Sequence, residues 1–363
     1  MQKISFASRL KTIFNPNNTS FKTGLLVIAI AYLPIIFGVS LKRFNTTDSV
    51  PQLKAINTEV LKQLGTFTVR VKTGMFIKNF PVFDVNKNTF LVDSVMWFEF
   101  NGDEIMLDTI QKFSIDNGKI NYKSPPDIKV AQDRVFAKYN VLFELKTDLN
   151  FHKFPFEDHR LPIVLSNDFV TPDEMFFVVD ASSFQILPNI APAGWRFQDM
   201  SVDAGFLPLQ LDKQDATKKA ENPKALFVLN FVKDSVRKAL VIFIPLFAAV
   251  FLSLLAFVMN AANVVGRFSL AITAVTALLG YRFVIEQMMP QVGYFTTTDA
   301  LYLFLLIFSF INFSAQLLLT RAYMVSDKDS AQELTEKLEK INSFIFIVMS
   351  LLLVLVTTYI ILT

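Results

Sequence analysis

Apolar residues in this chain follow two rhythms. Five stretches are apolar over helical length, and the long segment between the first two alternates apolar with polar positions. A helix needs about 20 mostly apolar residues to cross roughly 30 Å of hydrocarbon. Residues 23–41, 239–266, 300–320 and 341–363 meet that measure with no charged residue. Asn260 and Asn263 make the end of the second stretch a turn, so its helix is expected over about 239–260. The remaining stretch, 268–289, contains Arg282 and Glu286. Charges inside a span face a bundle interior or a water-filled path. The alternating segment reads as strands at 66–72, 89–100, 137–145, 161–165 and 225–232, rich in β-branched and aromatic residues. Asn101-Gly102-Asp103, Asp116-Asn117-Gly118 and Ser124-Pro125-Pro126 supply turns between them. One helix is expected before the first strand, over 53–64. The expected architecture is an all-β, immunoglobulin-like sandwich of about ten strands over 42–235. An all-α four-helix transmembrane bundle over 236–363 follows it, and an extra transmembrane helix precedes it.

Residues 1–22 carry Lys3, Arg9, Lys11 and Lys22 and no acid, which places the N-terminus in the cytoplasm. Residues 23–41 read either as a signal peptide or as an uncleaved anchor. The long basic leader, with no small-x-small site after the span, favours the anchor. Either way the strand region lies outside, in the periplasm if the membrane is a bacterial inner membrane. The remaining helices then run inward, outward, inward and outward. Composition fits this reading: 52% of the 363 residues are hydrophobic and 39 are phenylalanine. A net charge of +3 gives no case for nucleic-acid binding, and the absence of cysteine excludes disulfides and thiolate metal sites. The two histidines, His152 and His159, sit beside Glu157 and Asp158, which raises a small metal site as an alternative. No matched ligand cluster, phosphate loop or nucleophile elbow accompanies them, and neither an enzyme, a metal nor a cofactor is expected.

Within 268–289, the residues Ser269, Thr273, Thr276, Gly280, Phe283 and Gln287 advance by four, three, four, three and four, which puts them on one helix face. A polar stripe at helical period is what a helix lining water should carry. The alternative is that each hydroxyl merely bonds the preceding turn or a neighbouring helix. The remaining faces are mainly apolar.

Several landmarks resemble one family when taken in order. Phe154-Pro155-Phe156-Glu157-Asp158-His159-Arg160-Leu161 looks like the Phe-Pro-Phe-Asp-x-Gln loop of the pentameric ligand-gated ion channels, the Cys-loop receptor superfamily. Thr147 and Leu161 stand where animal receptors close that loop with a disulfide, as in Cys-less bacterial relatives. Pro245 resembles the family's proline in the first pore-domain helix, and Lys233 holds the place of an arginine twelve residues earlier. Arg267 opens the second helix. Pro290, Tyr294 and Asp299 resemble the link into the third. The resemblance covers roughly 50–363.

The resemblance implies a homopentamer, hence four further copies of this chain as partners, set in membrane lipid and passing inorganic ions. The small-molecule or proton agonist is unnamed. The hydroxyl stripe would ring the pore, and Phe283 would be its bulky constriction. Arg267, Arg282 and Glu286 would be pore-mouth charges of weak or anionic selectivity. Gating would pass through Asp84, Phe154, Pro155, Phe156, Asp158, Lys233, Pro290, Tyr294 and Asp299, with Asp158 and Lys233 as an ion pair. Ligand-contact candidates are Phe169, Phe176, Trp195 and Phe197. The hairpin over 207–226 has no aromatic residue for a cation-binding cage. Two rival readings are a non-conducting membrane sensor with the same fold, and a transporter. The transporter would need internal repeats and broken helices, and the sequence displays neither.

Overall fold

The computed structural model describes residues 19–42, 44, 46–55, 68–190, 192, 194–215, 218–234, 236–260, 263–324 and 331–362. The basic leader up to residue 18 and most of the helix expected over 53–64 lie outside the described residues. The chain divides into two compact units. One holds strands, from Thr46–Asn150 and Glu157–Asp234. The other holds helices, and it takes in the six-residue stretch Phe151–Phe156 as well as Ser235–Thr363 and the N-terminal segment.

The strand unit contains fourteen strands among the described residues, four of only two residues. The longest are β2 (Val69–Asp84), β3 (Thr89–Asn101), β7 (Arg134–Lys146), β8 (His159–Ser166), β11 (Trp195–Phe206) and β14 (Pro223–Lys233). Two sheets dominate. In the first, β14 lies between β11 and β8, both antiparallel to it, with β1 (Lys54–Ala55) on the outer edge of β11. In the second, β3 lies between β2 and β7. Burial along β3 alternates strictly, so Phe90, Val92, Met96, Phe98 and Phe100 share one inward face. By contrast, β14 is buried on both faces, because Val50 and Leu53 cover Val164, Leu226 and Val228 on its other side. Rings from both sheets meet in one aromatic cluster. Phe83 of β2 lies 4.9 Å from Phe231 of β14, and Phe197 of β11 lies 4.6 Å from Phe231 and 5.9 Å from Phe80.

Tyr139, in β7, packs edge-on against Phe98 and Phe113, and its hydroxyl has no partner among the described residues. Burial raises its pKa from 10.0 to about 12. The unfolded chain ionises near 10.0 while the folded one keeps its proton to about 12, so stability is lost as pH rises across that window. Tyr139→Phe is expected to gain about 1 kcal/mol at neutral pH by removing an unmet buried hydroxyl. The variant should also flatten the alkaline loss of stability, as followed by circular dichroism between pH 9 and 12.

Five helices among the described residues are long and apolar enough to cross a membrane, which makes this a membrane protein. They are α1 (Thr19–Lys42), α2 (Val236–Val258), α3 (Val264–Met288), α4 (Thr297–Met324) and α5 (Ala331–Leu362). On α1, Lys22, Leu26, Ala29, Leu33, Ile36 and Ser40 are buried at spacings of four and three, a single face. That helix packs on α5 and α2. Tyr32 Oη lies 3.4 Å from Thr358 Oγ1, and the Phe37 ring stacks 4.9 Å from Phe243. Helices α2, α4 and α5 pack pairwise, while α3 packs on α2 and α4.

Candidate functional site

The stripe on α3 has a distinctive setting. Ala271, Ala274, Leu278 and Ile285 are fully buried against the chain's own helices. All six stripe residues, Ser269, Thr273, Thr276, Gly280, Phe283 and Gln287, are exposed, Phe283 at 75%. Thr273 Oγ1 donates to the Ser269 carbonyl at 2.8 Å, so that hydroxyl does bond its preceding turn. The bond leaves the hydroxyl's lone pairs on the exposed face.

The ends of α3 are tied down by polar bonds. Pro245 cannot donate to the Val241 carbonyl, and Tyr281 Oη of α3 donates to it instead. At the other end, α2 finishes with carbonyls that lack helical partners. Arg267 Nε donates to the Ala256 carbonyl at 2.9 Å, and Asn342 Nδ2 and Lys22 Nζ donate to the Phe257 carbonyl at 2.9 and 3.4 Å. Arg267 also donates to the Asn342 side chain. Arg267 is therefore not a mouth charge. It is 2% exposed, and it caps α2 from the packed side of α3.

Arg282 is likewise committed. Its Nη1 lies 2.7 Å from Asp299 Oδ1 and its Nη2 2.6 Å from Glu286 Oε2, and its guanidinium lies 5.4 Å from the Tyr302 ring centre. Glu286 stays half exposed with its charge matched. Asp299 has a second task. Its Oδ2 accepts from Thr296 N at 3.1 Å, while Thr296 Oγ1 accepts from Asp299 N at 3.2 Å. This reciprocal capping box starts α4. A cavity of about 290 Å³ lies beside these groups, lined by Arg282, Glu286, Pro290, Tyr294 and Asp299 among others.

Phe151–Phe156 is bonded into the link between α3 and α4. Tyr294 Oη accepts from Phe151 N at 2.9 Å, and its ring stacks on His152 at 4.0 Å. Thr297 N donates to the His152 carbonyl at 2.7 Å, and Thr298 Oγ1 to the Phe154 carbonyl at 2.9 Å. Phe154, Pro155 and Phe156 are buried, the Phe154–Pro155 peptide is cis, and Phe156 stacks on Phe243 and Phe37. Lys238 Nζ lies 4.5 Å from the Phe154 ring centre.

Within the strand unit, the expected Asp158–Lys233 ion pair is corrected. Lys233 Nζ pairs with Glu157, whereas Asp158 Oδ1 accepts from the Lys233 backbone N at 2.9 Å. The two carboxylates are adjacent in sequence and point at different atoms of one lysine. Lys233 also lies 5.4 Å from the Trp195 ring centre, since β11 and β14 pair Trp195 with Lys233. His159 Nδ1 lies 2.9 Å from Asp48 Oδ2, which also accepts from Arg160 N at 2.9 Å. Asp84 holds the β2–β3 turn by accepting from Lys87 N at 3.1 Å.

The four aromatic ligand candidates do not converge. Phe176 and Trp195 are buried, and Phe197 is packed into the Phe231 cluster. Trp195 and Phe197, two residues apart on β11, share a packed face, whereas Phe176 stands beside Arg70 of β2 on the face away from buried Val71 and Phe177, with the guanidinium 5.8 Å from its ring centre. Only Phe169 is exposed, at 68%, with Lys112 Nζ 5.4 Å from its ring centre. The hairpin over 207–226 carries β12 (Leu209–Gln210) and β13 (Lys219–Ala220) and is bound by Lys218–Asp212 and Lys219–Glu221 pairs. Residues that sequence reasoning missed include Tyr281, Thr297, Thr298 and Asp48. Of these, only Tyr281 gave a signal, as a hydroxyl inside a span with a proline-freed carbonyl on the next helix. Among the described residues, no group of three or more His, Cys, Asp or Glu could hold a metal ion.

No protein-family model matches the chain, and no curated protein matches it.

Proposed function

We propose that the chain is one subunit of a homopentameric ligand-gated channel of the Cys-loop receptor type. In this reading the strand unit is an immunoglobulin-like sandwich outside a bacterial inner membrane, and α2–α5 form a four-helix bundle. The α3 helices of five copies surround a water-filled pore, and α1 is an additional helix outside the usual pattern. One observation carries the reading: α3 packs its apolar face within its own chain and leaves the whole polar stripe from Ser269 to Gln287 uncovered. Turned to hydrocarbon, the Gln287 amide and the outward lone pairs of those hydroxyls would lack hydrogen-bond partners, even where a hydroxyl donates to its preceding turn as Thr273 does. Turned to water around an axis, they are solvated, and rings of them can partly replace an ion's hydration shell.

The same bonds suggest how agonist binding reaches the pore. The chain passes from the helical unit to the strand unit at the Phe156–Glu157 peptide. Phe151–Phe156 is bonded to the link that starts α4, and Glu157 and Asp158 hold Lys233 three residues before α2 begins. A shift of the strand unit is thus delivered through covalent chain both to the start of α2 and to the α3–α4 link. Moving a closed–open balance from 1:99 to 99:1 takes about 5.5 kcal/mol, or about 1 kcal/mol from each of five sites.

Purified protein should appear as particles of five subunits and, fused into planar bilayers, should give unitary ion currents. The reversal potential in a salt gradient would read the selectivity. Particles of any other symmetry, or five-fold particles silent across a broad agonist and pH screen, would count against the channel and leave a sensor.

A further inference from the structure

Hydroxyls on several helices of the membrane unit satisfy themselves locally. Ser314 donates to Phe310, Ser343 to Glu339 and Thr358 to Val354, each to the carbonyl four residues back. A second set behaves differently. On α4, Ser309, Asn312 and Gln316 are 0% exposed and lie three and four residues apart, on the face turned toward the other helices. Ser253 of α2 is 0% exposed and Ser350 of α5 is 2% exposed. Among the described residues no hydrogen-bond partner meets the hydroxyls of Ser253, Ser309 and Ser350. None meets the amide nitrogen or oxygen of Asn312 or Gln316 either.

These side chains sit at related depths. Asn342 of α5 donates to the Phe257 carbonyl of α2, which pins the two helices. From that pin, Ser253 lies four residues along α2 and Ser350 eight residues along α5, about 6 and 12 Å toward mid-membrane by helical rise. Gln316 and Asn312 lie eight and twelve residues from the end of α4, about 12 and 18 Å.

Burying a carboxamide without hydrogen bonds is strongly unfavourable, so two of them need partners. A neighbouring copy of the chain cannot supply them, because this chain already covers those atoms completely. The partner must therefore be small and enclosed. It must be neutral, since all five side chains are uncharged and an ion among them would have no counter-charge. It must both donate and accept, since amide nitrogens and oxygens are alike unmet. Water satisfies all three conditions. The carboxamides alone present four unmet atoms, and a buried water makes about three hydrogen bonds, so about two waters would serve.

We propose that α2, α4 and α5 enclose a built-in water site inside each chain, centred on Asn312 and Gln316 and separate from the α3 stripe. The site stands whether or not the chain conducts ions. A water-bridged seam also lets α4 shift against α2 and α5 by exchanging hydrogen bonds.

The native assembly in lipid nanodiscs, imaged finely enough to show ordered water, should carry density within hydrogen-bond distance of both carboxamides in each copy. Carboxamides bonded only to protein atoms there would overturn the site.

Discussion

Lys233→Met is expected to lower the stability of the strand unit by about 3–5 kcal/mol, the range for removing one partner of a buried ion pair. The Lys233 side chain is 11% exposed and that of Glu157 is 2%. Glu157 Oε2 already has no partner among the described residues, so loss of the ammonium leaves the carboxylate to face burial with nothing in place of Lys233. Methionine preserves the packing beside Trp195, so the loss reports charge more than volume. The double variant Lys233→Met with Glu157→Gln removes both charges together and should recover most of the stability, since an uncharged pair escapes the desolvation penalty. Chemical unfolding followed by the fluorescence of Trp97 and Trp195, both in the strand unit, measures both. If Lys233→Met unfolds within about 0.5 kcal/mol of the parent, the pair contributes nothing and Glu157 is compensated from elsewhere. If the channel reading holds, gating should change in the single variant as well, because the lost pair joins Glu157, next to Phe151–Phe156, to a residue three positions before α2.

The membrane helices and the main strands could be read from the chain because their periods repeat over many residues, so single ambiguous positions average out. The helices begin at 236, 264 and 297, a few residues earlier than the expected 239, 268 and 300, because Arg237 and Lys238, Arg267, and Asp299 interrupt the apolar pattern within first turns that need no apolar side chain. The stripe of α3 belongs to the same class of signal, and its six residues share one exposed face. Individual pairings are a different kind of information. Glu157 and Asp158 have the same charge and differ by one methylene, and only the path of the chain into β8, whose His159 lies opposite Phe231 of β14, decides which one meets the ammonium. Arg282 and Glu286 are four apart and pair as helical spacing suggests, but Asp299, seventeen residues on, could not be reached by any periodic argument. Arg267 illustrates the same gap. Its charge was legible, whereas its burial against the end of α2 depends on how two helices cross. The aromatic candidates could not be sorted by period alone: Trp195 and Phe197 share a packed face of β11, Phe176 is covered on the Arg70 side of its strand, and a run of aromatics does not reveal which of them are covered. Asn312 and Gln316 stand as an i, i+4 amide pair within an apolar span, and polar side chains in such a span turn toward the bundle interior.

Cysteine substitution along α3 should divide that helix into two faces with opposite chemistry. With no native thiol, each variant carries a single reporter. Thiols at 269, 273, 276, 280, 283 and 287 should be modified by charged methanethiosulfonates, which attack the thiolate and so need water at the site. Thiols at 271, 274, 278 and 285 should react on the order of tenfold more slowly or not at all, because those positions are fully buried against the chain's own helices. If the stripe lines a pore, each charged adduct on it also blocks current, and five adducts in one ring should block it almost completely. Phe283 separates this from mere exposure, for it is the stripe's one large apolar side chain and is 75% uncovered in the single chain. A ring of five such side chains can close a pore by excluding water, so Phe283→Ala should raise the current measured without agonist. Facing lipid, Phe283 would be at ease, its alanine variant would leave basal current unchanged, and thiols on the stripe would resist charged reagents. The two orientations therefore predict opposite outcomes in both assays. Reactive thiols confined to 265, 272, 279 and 286, an adjacent exposed face of the same helix, would mean that α3 is turned about its axis and that its hydroxyls do not line water.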